Sequence, residues 1–116
     1  MLEELKDPRT PLLRECRCFR RGADTGLADY FVKVGGEWIP VEAKLSVLAS
    51  SETKLLEQVN RYVAIDSFSP TVGTRVGESF AASSSPLCLV ADQAGIYTIS
   101  NGVFQGCAFG EPAWSR

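Results

Sequence analysis

The sequence predicts a single α/β (α+β) domain, a central mixed sheet of about five or six strands with one main helix packed on one face. Three observations carry that expectation. Residues 26–44 alternate apolar and polar side chains on both sides of Gly35-Gly36, and residues 52–64 repeat apolar side chains at helical spacing. The apolar run Leu87–Ala91 is followed by two further strand-like stretches around Asn101-Gly102. A chain of 116 residues has room for one core, so residues 1–116 form one domain.

In chain order, residues 1–7 read as one helical turn or a frayed terminus, because Pro8 and Pro11 stop a helix there. Leu12–Arg20 alternates loosely and reads as the first strand. Residues 22–26, rich in Gly, Asp and Thr, read as a turn. Residues 26–44 then form a hairpin, since two adjacent glycines supply the positive φ values of a two-residue loop. Residues 46–51 connect to a helix over about 52–64, opened by Ser51 as N-cap and packed through Leu55, Leu56, Val59, Tyr62 and Val63. Residues 66–86 are dominated by Ser, Gly, Thr and Pro, which predicts a mobile substrate or partner loop with Arg75 as its one cation. Leu87–Ala91 reads as a buried strand, and residues 95–99 with Val103–Phe109 as a hairpin turned at Asn101-Gly102. In the tail, Trp114 caps the core or sits in an interface.

Composition narrows the function classes. Hydrophobic residues at 45% and charged residues at 22% are ordinary for a globular protein. No apolar run reaches the length of a membrane span and the acidic start is no signal peptide, so a cytoplasmic protein with no membrane partner is expected. The four cysteines, at 16, 18, 88 and 107, form no C-x-x-C pair, and buried free thiols are their expected state. The absence of histidine removes mixed zinc sites and the Ser-His-Asp and Cys-His schemes. With a net charge of −2, any contact with nucleic acid must come from gathered cations. Arg14, Arg17, Arg20 and Arg21 are such a group and are candidate phosphate contacts, although a solvated strand end has the same composition.

The hairpin carries the chemistry. With Gly35-Gly36 as its loop, Asp29 falls directly opposite Glu42, and Lys44, two residues further on, shares their face. Two facing carboxylates repel unless a cation lies between them, and an all-oxygen site of this kind suits Mg²⁺. The ammonium beside them can orient a water or steady charge developing on phosphate. The same spacing also fits a surface Asp-Glu-Lys ion cluster on an ordinary hairpin. The opposite face holds Ala28, Tyr30, Val32, Val34, Ile39, Val41, Ala43 and Leu45 and packs on a core. Asp24 is a rival to Asp29, but lies in the predicted turn.

Asp29, then Glu42-Ala43-Lys44 on the next strand, then Gln58-Val59-Asn60-Arg61-Tyr62 on the next helix, resembles the PD-(D/E)xK nuclease superfamily with its Q-x-x-x-Y element. The resemblance covers roughly residues 12–65. It implies a restriction-endonuclease-like fold, with the N-terminal helix short or missing, and a metal-dependent DNA endonuclease. It implies that Asp29, Glu42 and the backbone carbonyl of Ala43 hold Mg²⁺ or Mn²⁺, that Lys44 handles the attacking water and that Gln58 orients water or phosphate. Glu15 would be an accessory acid, and Tyr62, one turn after Gln58, would border the cleft.

The alternative is a catalytically inactive nuclease-fold domain that binds nucleic acid or a protein partner, and a third reading is an unrelated small interaction protein. On the nuclease reading the partner is DNA. A homodimer or larger assembly is also expected, because it doubles the arginine cluster and presents two sites to two strands. Trp38 and Trp114 are the candidate interface anchors.

Overall fold

A computed structural model of the chain describes residues 9–44, 51–93 and 95–109. Its centre is set by two tight turns. The strands β1 (Leu12–Arg20) and β2 (Ala23–Val34) turn at Arg21-Gly22, and β2 and β3 (Glu37–Ala43) turn at Gly35-Gly36. All four turn residues have positive φ, from 53° at Arg21 to 80° at Gly22, the mirror-image turn geometry that suits the twist of flanking strands. The β2–β3 register runs from Val34↔Glu37 to Tyr30↔Val41, which is the one expected from a Gly35-Gly36 loop. Residues 22–26 are not a loop: Asp24 and Ala23 pair with Phe19 and Arg20, and Thr25 is taken up where the β1–β2 register shifts.

Helix α1 (Glu52–Val59) follows, with the Ser51 side chain accepting from the Lys54 amide as expected of an N-cap. It is shorter than its sequence signal. At Asn60 the ladder tightens, Tyr62 N–H reaching back three residues to the Val59 carbonyl, and Ala64 adopts φ 53°. The Arg20 side chain closes this end by donating to the carbonyls of Asn60 (3.0 Å), Val63 (2.6 Å) and Ala64 (3.3 Å).

The chain then returns through β4 (Ser67–Pro70) and β5 (Phe80–Ala81) before β6 (Leu87–Ala91), β7 (Ile96–Ser100) and β8 (Val103–Phe109) complete the fold. Eight strands form one sheet in the order β5-β4-β1-β2-β3-β6-β7-β8. Every neighbouring pair is antiparallel except β3–β6, whose parallel crossover contains α1. The domain is therefore mixed α+β, built on a larger sheet than composition suggested.

The predicted loop at 66–86 contains ordered strands, and aromatic burial is the reason. Phe68 is fully buried and stacks on Phe31 at 3.7 Å and on Phe80 at 5.4 Å, so β4 can cover β1 despite the polar residues around it. Only the turn between β4 and β5 is exposed throughout.

Three clusters fill the core. Val32, Val34, Ile39, Val41, Leu89, Ala91 and Ile96 form one. Leu55 and Val59 of α1 pack on Cys88, Val90, Tyr97 and Ile99 in a second, and Cys16, Cys18, Ala28, Phe31, Tyr62, Ile65 and Phe68 make the third. Ala28 thus packs with Cys16 and Tyr62, not with Tyr30 and Val32 as simple alternation predicts. The alternation is interrupted at Glu15, whose φ is 47°, between the pairs Arg14↔Tyr30 and Cys16↔Ala28. Cys16, Cys18 and Cys88 are buried free thiols, and burial pushes Cys16 and Cys18 up to about 12 and Cys88 higher still. Residues 1–8, the connector at 45–50 with Leu45, and the tail with Trp114 lie outside the described residues. Among the described residues no helix is long and apolar enough to cross a membrane.

Candidate active site

Asp29 and Glu42 meet where the β2–β3 ladder ends. The last pair is Tyr30↔Val41, and just beyond it the Ala43 amide donates to Asp29 Oδ2 at 2.9 Å. Asp29 is thereby held on one oxygen by backbone and lines an open pocket of about 310 Å³ with Arg14, Glu15, Tyr30 and Ala43.

Glu42 is the partner of Val90 on β6, and so lies on the face covered by α1. Its carboxyl is pushed up to about 7, chiefly because burial removes water from the charged form and secondly because the Asp29 carboxylate repels it. The Lys44 ammonium, the Tyr62 hydroxyl and the Arg61 guanidinium pull the other way. Lys44 Nζ stands 4.0 Å from Glu42 Oε1, with the two side chains only 23% and 12% exposed, so the ion pair is no ordinary surface contact. Glu42 Oε2 is buried and has no hydrogen-bond partner among the described residues.

Gln58 is near the end of α1, and its Oε1 is likewise buried without a partner among the described residues. Tyr62 is not on the helix with it but in the following turn, where its ring packs in the core beside Cys18 and Phe31. Its phenol is pushed up to about 12 by burial and then by the Glu42 and Asp29 charges, so it remains a neutral donor across the working pH range. Gly26 lies under this turn: a Cβ there would meet Arg61 Cδ at 3.7 Å and Tyr62 Cε1 at 3.9 Å.

Other expected residues are placed elsewhere or differently engaged. Glu15 shares the Asp29 pocket, but among the described residues no three Asp, Glu, Cys or His side chains group as metal ligands. The four arginines do not form one patch. Arg17 is ion-paired with Asp24 at 2.7 Å, Arg20 is spent on the end of α1, and Arg21 is exposed at the β1–β2 turn. Arg14 lies over the Tyr30 ring at 5.9 Å and lines the pocket. Trp38 is half-buried, edge-on to Phe68 and Phe80, and so belongs to its own core; the expected homodimer loses that anchor. Arg61 had no assigned role in the sequence, yet its charge reaches Glu42, and the signal for it was its place between Gln58 and Tyr62.

Comparison of the chain with protein-family models, curated proteins and solved structures finds no match. The functional reading therefore rests on the geometry of the site.

Proposed function

We propose that the chain is a small metal-dependent phosphodiesterase acting on DNA, with Asp29, Glu42 and the Ala43 carbonyl as ligands of Mg²⁺ or Mn²⁺. The observation that carries this reading is the state of Glu42. A buried carboxylate beside a second carboxylate, with one oxygen unsatisfied, is unfavourable in isolation and becomes favourable when a divalent cation fills the space. The donor set is all oxygen, which suits a hard cation that keeps several waters. The metal would supply Lewis acidity to the phosphoryl oxygen and lower the pKa of a water.

This chain's own residues do the rest. The Ala43 amide fixes the Asp29 carboxylate, so that ligand needs little reorganisation. Lys44, beside Glu42, donates to the water or to a non-bridging phosphate oxygen. Gln58, with an unsatisfied amide oxygen, orients the water for in-line attack on phosphorus. A P–O bond forms to the water oxygen as that water gives up a proton to bulk solvent, the bridging P–O bond breaks, and the leaving alkoxide takes up a proton from solvent. The Glu42 side chain, paired with Val90 on the face that Leu55 and Val59 cover, is left only 12% exposed to water.

Nicking of supercoiled plasmid tests the proposal. Activity is expected in Mg²⁺ or Mn²⁺, none in chelator, and a loss of roughly 10²–10⁴-fold in Lys44→Ala if the ammonium assists proton transfer. Asp29→Asn should be inactive at unchanged thermal stability. Intact plasmid in Mn²⁺ across pH and salt overturns catalysis. With Arg17 and Arg20 engaged by the protein itself, few cations of that cluster are left for phosphate, and retention of DNA in chelator without nicking in Mn²⁺ would establish instead a binding domain that does not cut.

A further inference from the structure

The open pocket at Asp29 shares Arg14 with a second one. Arg14 lines both: on one side it borders Asp29, Glu15, Tyr30 and Ala43, and on the other it borders a pocket of about 300 Å³ formed by Leu12, Leu13 and residues 72–75. The turn carrying residues 72–75 is pinned over β1, because Thr71 donates twice to the Glu15 carbonyl, from its amide at 3.0 Å and from its hydroxyl at 2.6 Å. Arg14 therefore stands between a pocket lined by Asp29 and Glu15 and one walled by the turn at residues 72–75.

Resting on the nuclease reading above, we propose that the two pockets together form a groove that carries the backbone of the DNA strand being cut, with Arg14 as the residue that grips a phosphate next to the scissile one. The choice of Arg14 follows from what the other cations are doing. Arg75, across the groove, is held by Glu78 through two bonds of 2.9 and 3.0 Å and lies over Phe80 at 4.7 Å, so its charge is already matched. Among the described residues the Arg14 guanidinium makes only the ring contact with Tyr30, at 5.9 Å, and its N–H donors have no hydrogen-bond partner. An uncommitted guanidinium is suited to bidentate recognition of phosphate, which a lysine would not reproduce. The acidic end would repel the same backbone except where a cation is bound, so the strand is held in one direction, with the scissile phosphate at Asp29 and the flanking phosphate at Arg14.

The test is binding of a fluorescein-labelled single-stranded 12-mer to the full chain, followed by anisotropy in Ca²⁺ at several salt concentrations, for wild type, Arg14→Ala, Arg14→Lys and, as a charge-matched control, Lys33→Ala. Thermal unfolding of each variant checks folding. Arg14→Ala should weaken binding about 5–10-fold and lower the salt slope by roughly 0.7, the loss of one phosphate contact on a single strand. Arg14→Lys should keep the slope and recover only part of the affinity, and Lys33→Ala should match wild type. If wild type binds and nicks plasmid while Arg14→Ala keeps wild-type affinity and slope, the groove assignment is overturned and the nuclease reading stands. If Lys33→Ala falls as far as Arg14→Ala, the contact is diffuse charge and the groove is again overturned. Wild type that neither binds nor nicks overturns both.

Discussion

Glu42 is the residue whose chemistry most directly reports on the site. Its folded-state value of about 7 stands above its ordinary 4.5, so without metal the folded protein holds this proton more tightly than the unfolded chain does. Stability from this group is therefore fully present below pH 4.5 and is lost as pH rises to about 7, an effect on the order of 3 kcal/mol. Glu42→Gln should remove this dependence and be the more stable form at pH 8 in chelator, as measured by urea unfolding at pH 5 and pH 8. Because a cation competes with the same proton, added Mn²⁺ should raise the unfolding temperature of wild type more at pH 8 than at pH 5.5, and of Glu42→Gln little at either. Equal stability of the two proteins across that range would place Glu42 in ordinary solvent. The hairpin register expected from the sequence puts Glu42 beside Asp29 and Lys44, but does not show that Glu42 is buried, since that depends on α1 covering its face and β6 pairing beside it.

At the scale of elements, α1 ends where an arginine from β1 meets it. Apolar spacing continues through Tyr62 and Val63, so periodicity alone extends the helix past its real end. The Arg20 guanidinium takes the exposed carbonyls instead, across a sequence separation of 40 to 44 residues. Arg20→Ala should destabilise the protein by about 1–3 kcal/mol, the worth of charge-assisted bonds to backbone, with faster amide exchange at residues 60–64. Arg17→Ala, which breaks an exposed pair with Asp24, should cost under about 1 kcal/mol. Chemical denaturation of the two variants side by side checks the contrast, and equal small losses would show that the helix end does not need its arginine.

For the molecule as a whole, the aromatic column of Phe31, Phe68 and Phe80, with Trp38 against its edge, attaches β4 and β5 to the rest of the sheet. Phe68→Ala removes a fully buried ring and should cost about 3–5 kcal/mol. Trp38 fluorescence should shift to longer wavelength as its cover is lost. If the emission and the stability stay unchanged, the column is not what holds these strands.

What the sequence determined by itself is what short-range chemistry decides. Gly35-Gly36 and Asn101-Gly102 tolerate the positive φ of tight turns, Ser51 caps the next turn of backbone, and alternation places Glu42 and Lys44 on one face, so the hairpin register, the helix start and the acidic pair were legible. What only the tertiary structure decided is what needs a partner far along the chain. Phe68 and Phe80 find Phe31, turning a polar stretch into strands; Arg17 and Arg20 find Asp24 and the end of α1, leaving Arg14 uncommitted; and Glu15 takes a left-handed φ that changes which side chains face Tyr62. Local propensity is a property of neighbouring residues, whereas burial, pairing and the fate of a charge depend on which distant surfaces are brought into contact.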